Sequence, residues 1–253
     1  MTTRILLSGC CGAMGNTIAA IAAGRTDCTI VAGLDRQPGD HHPFPVYQQL
    51  SLVREDFDVV VDFSSPKALD ALLDYAKATG KPLVIATTGY TQEQIMAIQE
   101  AAAQLPIFFT ANMSLGVSLM KELAVTAARV LGGQFDIEIV EKHHNQKVDA
   151  PSGTALLLAN AISQALPYDA KYTYDRHSSR QKRDSREIGI HSVRGGTIVG
   201  EHDIIFAGRD EVLTLTHTAY SKAIFANGAL AAASFLAGKA PGLYGMAELV
   251  EQI

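Results

Sequence analysis

Residues 141 to 155 read Glu-Lys-His-His-Asn-Gln-Lys-Val-Asp-Ala-Pro-Ser-Gly-Thr-Ala. Histidine side chains titrate near neutrality as a class, so His143 and His144 are candidates for moving protons. Lys147 adds a compact positive charge, and the run through Ser152, Gly153 and Thr154 has the form of a helix N-terminus, whose N–H groups favour a carboxylate or phosphate. Together these groups would bind an acidic substrate and transfer protons on it. Each has a structural explanation when taken singly: paired histidines can end a strand, a lysine can be a solvated loop charge, and Ser152 can be an ordinary N-cap before Ala155-Leu156-Leu157-Leu158. Neighbours on a strand point to opposite faces, so His143 and His144 would not readily chelate one ion unless the strand has already ended. No metal is assigned.

A second constellation lies near the start of the chain. Gly9-Cys10-Cys11-Gly12-Ala13-Met14-Gly15 falls between an apolar strand pattern and an amphipathic helix pattern, where a dinucleotide-binding fold places its phosphate loop. The spacing is G-x-x-G-x-x-G rather than G-x-G-x-x-G. Asp35 stands twenty positions beyond Gly15 at the end of the second strand pattern, placed to accept hydrogen bonds from ribose hydroxyls. Arg36 follows and can pair with a 2′-phosphate. For Cys10 and Cys11 small size in a crowded loop is explanation enough, with nothing nearby to suggest a nucleophile. Ala86, Thr87, Thr88 and Gly89, and then Thr110, Ala111, Asn112 and Met113, stand at the carboxyl ends of the fourth and fifth strand patterns and are expected to line the nicotinamide side.

These residues must be positioned by regular elements. Arg4 to Ser8, Thr29 to Leu34, Val59 to Phe63, Leu83 to Thr87 and Ile107 to Thr110 read as strands; Met14 to Ala23, Pro66 to Thr79 and Gln92 to Gln104 read as the helices between them. The alternation predicts an α/β fold with a Rossmann-like, doubly wound parallel sheet over residues 1–113. Ser114 to Leu131 reads as a long helix stopped by Gly132-Gly133, and the rhythm then changes. Asp136 to Glu141 alternates as a strand, Ser152 to Gln164 is helical, and Ile188 to Val193, Thr197 to Phe206 and Glu211 to Thr218 read as strands of a mixed or antiparallel sheet, an α+β domain over residues 114–224. Ser221 to Leu236 closes as an Ala-rich helix, and Gly238 to Gly245 reads as a turn-rich tail.

With 253 residues, of which 47% are hydrophobic, the chain can bury a substantial core. The net charge of −5 gives no global attraction to nucleic acid or to an anionic membrane. Arg176, Arg180, Lys182, Arg183 and Arg186 form a local basic segment interrupted by acids, read as a solvated loop or else as a flap over an anionic ligand. Three cysteines provide no disulfide framework, so a reducing cytoplasm is the expected compartment. No apolar run has the length of a transmembrane helix, and neither membrane nor nucleic acid is expected as a partner.

Taken together, the chain resembles the 4-hydroxy-tetrahydrodipicolinate (dihydrodipicolinate) reductases nearly end to end. The resemblance rests on Gly9 to Gly15, Thr87-Thr88-Gly89, Ala111-Asn112-Met113-Ser114, Glu141 to Ala155, Val199-Gly200-Glu201-His202, Ala226-Asn227-Gly228-Ala229 and Gly238-Lys239. It implies an N-terminal nucleotide domain to which the last helix and tail, 225–253, return, and a C-terminal domain for substrate and for assembly into a homotetramer. It also implies hydride transfer from NADH or NADPH to a small cyclic dicarboxylate, with His143 as acid/base, Lys147 as proton donor, His144 as a substrate contact, and Gly153 with Thr154 holding one carboxylate. Ala13 and Ser65 stand where arginines occur in the family, and Asn16 replaces a frequent basic or polar residue. These departures remove possible 2′-phosphate contacts and favour NADH, with NADPH also accepted through Arg36. Ala86 replaces a usual glycine and Lys222 a common arginine. Two rivals remain: another reductase of the same plan acting on an amino-acid-derived carboxylate, and a dinucleotide sensor without turnover.

Overall fold

The computed structural model describes residues 2–39, 41–177 and 180–252. The chain divides into two compact units, Met1–Leu115 with Lys222–Ile253, and Gly116–Ser221.

The first unit is a parallel sheet of β1 (Thr3–Ser8), β2 (Cys28–Leu34), β3 (Val46–Tyr47), β4 (Val59–Asp62), β5 (Leu83–Ile85), β6 (Pro106–Phe109) and β12 (Gly242–Tyr244). The strand order is β12-β6-β5-β4-β1-β2-β3, so the winding reverses between β1 and β4, the switch point at which such sheets bind ligands. Val59, Val60, Val61 and Asp62 are all buried, as expected of a strand covered on both faces. In α1 (Ala13–Ala22) the buried residues Gly15, Ile18 and Ala22 recur at helical spacing. In α2 (Leu69–Thr79) Leu69, Leu72, Leu73 and Ala76 do the same, and Gly80 ends the helix at φ 69°. Pro66–Ala68, expected within that helix, forms a separate 3-10 turn capped by Ser65. A capping box between Thr91 and Gln94 starts α3 (Gln92–Ala101). The Ala-rich α6 (Ala223–Leu236) is buried almost all round, within the cluster that holds Ile5, Val61 and Phe108. A Cβ at Gly228 would lie 1.7 Å from the Met113 carbonyl oxygen, which requires glycine at that crossing. The tail read as turns supplies β12, paired in parallel with β6, and then α7 (Met246–Val250).

The second unit begins along α4 (Leu115–Leu131) and contains a mixed sheet of order β11-β10-β7-β9-β8. Its strands are β7 (Asp136–His143), β8 (Lys171–Thr173), β9 (Glu187–Arg194), β10 (Gly200–Ala207) and β11 (Val212–Ala219). β7 pairs in parallel with β9 and antiparallel with β10. Its strict alternation buries Ile137, Ile139, Glu141 and His143 on one face, where α5 (Gly153–Ala165) packs through Ala155, Leu158, Ala159 and Ile162. The apolar core therefore runs along one strand directly into an acid and an imidazole.

Candidate active site

The residues singled out from the sequence fall into two groups, one in each unit. In the first unit Gly9 leaves β1 at φ 79°, and a Cβ there would meet the Phe63 carbonyl oxygen at 2.6 Å. A Cβ at Gly15 would lie 2.2 Å from the Gly9 carbonyl oxygen, so the third glycine lets the helix start against the loop. α1 has no side-chain cap at Gly12, and the N–H groups of Ala13, Met14 and Gly15 open the helix with no intrahelical partner. Asn16 Nδ2 donates to the carbonyls of Cys11 and Gly12 at 3.0 and 2.9 Å, tying the loop from behind.

A cleft of about 640 Å³ opens beside this loop, lined by Gly9, Gly12, Asp35, Arg36, Ser65 and Lys67 among others. Asp35 follows β2, and its carboxylate accepts from the N–H groups of Cys11 at 3.0 Å and Gln37 at 3.2 Å. Arg36 is exposed at the rim. Asp40 lies outside the described residues. Thr88, Gly89 and Ala111 are exposed beyond β5 and β6, whereas the Ala86 and Met113 side chains are buried at 7% and 3% exposure. The buried Thr87 hydroxyl donates to Asp62 at 2.6 Å, and the Ser64 hydroxyl reaches the same carboxylate at 2.5 Å. The sequence reading passed over Asp62, which joins the ends of β4 and β5. Asn112 Oδ1 accepts from the Ser114 N–H at 2.9 Å ahead of α4, and Thr110 closes the turn onto Asn112.

The second group is built on β7. Glu141 is fully buried and accepts two hydrogen bonds from Arg194, at 2.8 and 2.7 Å, and one from the Ser152 N–H at 3.1 Å. Burial pushes its carboxyl up, but hydrogen bonds from Arg194, Ser192, His143 and the Ser152 N–H outweigh that and hold it down at about 2. His143 Nδ1 meets Glu141 at 2.6 Å, which fixes the ring and places its Nδ1 proton on the carboxylate side. The opposite nitrogen, Nε2, faces Gly200, where a Cβ would come to 3.1 Å.

Behind His143, at 5.3 Å between ring centroids, lies His202, whose Nε2 is 3.0 Å from the Ser152 hydroxyl. Burial, and then the nearby His143, push His202 down to about 4, so it is neutral at physiological pH and anchors the Ser152 side chain. Ser152 is the N-cap of α5, its hydroxyl accepting from the Ala155 N–H at 3.1 Å. Glu141, His143, Ser152 and His202 are therefore brought together.

β7 ends at His143, and half-buried His144 begins a turn in which its carbonyl accepts from the Lys147 N–H at 3.2 Å. Lys147 Nζ pairs with Asp149 at 2.7 Å. That ammonium holds the Asp149 carboxyl below the usual carboxylate range, with a smaller contribution from the Gly153 N–H. Lys147 and the start of α5 thus already hold a carboxylate. Thr154 is half-buried on the first turn of α5.

Arg194 and His202 carry the site and went unassigned in the sequence. Arg194 stands opposite His143 in the β7–β9 register, and His202 opposite Glu141 in the β7–β10 register, pairings no local pattern reveals. The basic segment also differs from a simple solvated loop. Arg176 pairs with Glu138 and Glu187, and Arg183 with Asp136 and Glu138, so two of its cations are bound to strand acids. Ser178 and Ser179 of that segment lie outside the described residues.

A glycine loop at the switch point of a parallel sheet, followed by a second unit with a carboxylate-anchored imidazole, defines a two-domain oxidoreductase of the dinucleotide-binding class. Residues 3–113 match the family model for the dihydrodipicolinate reductase N-terminus, and residues 116–250 that for its C-terminus. The chain belongs to the dihydrodipicolinate reductase family. It is 50% identical over 254 residues to the 4-hydroxy-tetrahydrodipicolinate reductase of Caldanaerobacter subterraneus subsp. tengcongensis, covering 100% of both chains. It is 45% identical over 249 residues to that of Clostridium novyi, covering 98% of each. The dipicolinate-bound dihydrodipicolinate reductase from Paenisporosarcina sp. TG-14 superposes with a TM-score of 0.82 at 26% identity, over 97% of this chain and 98% of that one.

Proposed function

We propose that the protein reduces 4-hydroxy-tetrahydrodipicolinate (dihydrodipicolinate) to tetrahydrodipicolinate with NADH or NADPH, a step of diaminopimelate and lysine biosynthesis. The observation that carries this reading is His143, pinned to buried Glu141 through Nδ1 with Nε2 facing Gly200, in the unit where Lys147 and the α5 start hold a carboxylate.

The dinucleotide fits the first unit: uncapped N–H groups open α1, Gly15 admits no side chain, and the cleft is bounded by Asp35. The loop would hold the pyrophosphate, with the N–H groups of Ala13, Met14 and Gly15 donating to it and Gly9, Cys10, Cys11 and Gly12 shaping the backbone around it, and Asp35 would hold the adenosine ribose. Ala86 to Gly89 and Thr110 to Met113 would line the nicotinamide. The reduced nicotinamide supplies a hydride when bound. Arg36 and Lys67 at the cleft place positive charge where a 2′-phosphate would lie, while the carboxylate of Asp35 disfavours it. Both cofactors are accordingly accepted, NADH in preference.

In the second unit the substrate takes the place of Asp149: one of its carboxylates lies on Lys147 and the N–H groups of Gly153 and Thr154, with His144 and Ser152 beside it. The 4-hydroxyl leaves as water to give the conjugated imine, hydride addition to it leaves electron density on nitrogen or the adjoining carbon, and a positioned acid must quench it. Lys147 delivers that proton, and His143 Nε2 exchanges protons with the substrate while Glu141 keeps the ring aligned. The dipicolinate held by the Paenisporosarcina relative supports a small cyclic dicarboxylate as the ligand class.

The protein works as a homotetramer in the cytoplasm. In support of assembly, β11 is an edge strand with Val212 and Leu213 exposed, the kind of edge that proteins cover by association. Among the described residues no helix is long and apolar enough to cross a membrane.

Absorbance of NADH and NADPH, followed in parallel with and without the dihydrodipicolinate-type substrate, tests the reading. Substrate-dependent oxidation is expected, faster with NADH. Tight dinucleotide binding without oxidation would replace the enzyme with a sensor.

A further inference from the structure

The side chains of Cys10, Cys11 and His42 form a cluster that the reduction does not use, although the loop carrying the two cysteines is proposed to hold the cofactor. The two sulfurs lie 3.8 Å apart, and they and one ring nitrogen of His42 all fall within 4.8 Å of one another. We propose that these three side chains form a binding site for a borderline-soft divalent cation of the zinc class.

The geometry matches the ion. Two thiolate sulfurs each about 2.3 Å from a tetrahedral zinc are separated by about 3.8 Å. A donor set of two sulfurs and an imidazole selects zinc-like ions over magnesium or calcium, which take oxygen ligands. Three protein ligands leave the fourth position to water.

The donors are also held in place by independent contacts. Cys10 is fully buried, and Gly33 on β2 makes room for its sulfur, since a Cβ there would approach it to 2.5 Å. Cys11 is fixed through its N–H on Asp35 at 3.0 Å. The His42 ring stacks on Phe44 with centroids 4.7 Å apart and planes 9° from parallel, and its Nε2 meets the Cys10 carbonyl at 3.1 Å. Each thiol must lose its proton to ligate the ion, so affinity rises with pH. In the balanced step two S–H protons leave to buffer, the aquo ion releases all but one of its waters, two metal–sulfur bonds and one metal–nitrogen bond form in their place, and no electrons are transferred.

The test is cobalt(II) titrated without oxygen into the full-length protein, after a thiol assay has found Cys10, Cys11 and Cys28 all free. About one equivalent should produce thiolate-to-cobalt charge-transfer absorption with the visible bands of a tetrahedral ion, release about two protons, and be displaced by zinc. Cys11→Ser should abolish the two-thiolate spectrum. His42→Ala, which lies outside the proposed reduction machinery, should lower cobalt and zinc affinity at least about tenfold while leaving reductase activity unchanged. Absence of the band in the wild-type protein, or wild-type affinity in either folded variant, would overturn the site.

Discussion

The two proposed working ends of this molecule are made in opposite ways. The phosphate loop is defined by missing atoms: no Cβ at Gly9, Gly12 or Gly15, and no side-chain cap on α1. The His143 site is defined by charges: a buried carboxylate, a bidentate guanidinium, and an imidazole kept neutral behind them. The first is a local backbone shape and is broken by adding a methyl group. The second is a non-local balance of desolvation against hydrogen bonding and is broken by removing a partner.

The sharpest way to break the second end is Arg194→Ala, which leaves Glu141 buried with its main counter-charge gone. A loss of about 3–5 kcal/mol in urea unfolding is expected, as for other broken buried pairs. An effect below about 1 kcal/mol would show that Glu141 does not depend on this pair. His202 comes next. Its proton affinity is depressed by folding, so its contribution is intact above pH 6.5, the ordinary histidine value, and is lost as pH falls from there towards about 4. Stability should decline by about 3 kcal/mol across that window, and His202→Gln should remove this part of the decline. The same acid sensitivity in the variant would assign it to other groups.

At the loop, Gly15→Ala should cost about 1–3 kcal/mol of stability through overpacking against the Gly9 carbonyl, with dinucleotide affinity measured by calorimetry falling roughly tenfold. Arg36→Ala is the mildest change: NADPH affinity should fall by up to about tenfold while that for NADH is retained, as for loss of one exposed charge-assisted contact. Equal loss for both cofactors would remove Arg36 from 2′-phosphate recognition.

The same contrast explains what could be read from sequence. The α/β alternation, the loop between β1 and α1, Asp35 at the end of β2, and Ser152 as the α5 cap are written in neighbouring residues, and local periodicity finds them. Short strands such as Val46–Tyr47 and Gly242–Tyr244 have too few residues to show a period and exist because a neighbouring strand pairs with them. Arg194, His202 and His42 reach their partners only through sheet register or loop closure, so no spacing in the chain marks them. The basic segment misled for the same reason. Arg176 and Arg183 have acids beside them in the chain, Asp175 and Asp184, yet pair with Glu138 and Asp136, which lie on β7 far back along the chain.

The central claim is that Lys147, released from Asp149, delivers the proton that completes reduction. The most direct measurement is the turnover of folded Lys147→Ala at saturating substrate and NADH, with dinucleotide affinity measured alongside. The account predicts a fall of about two orders of magnitude or more in turnover with dinucleotide affinity unchanged; turnover near the wild-type value would contradict it.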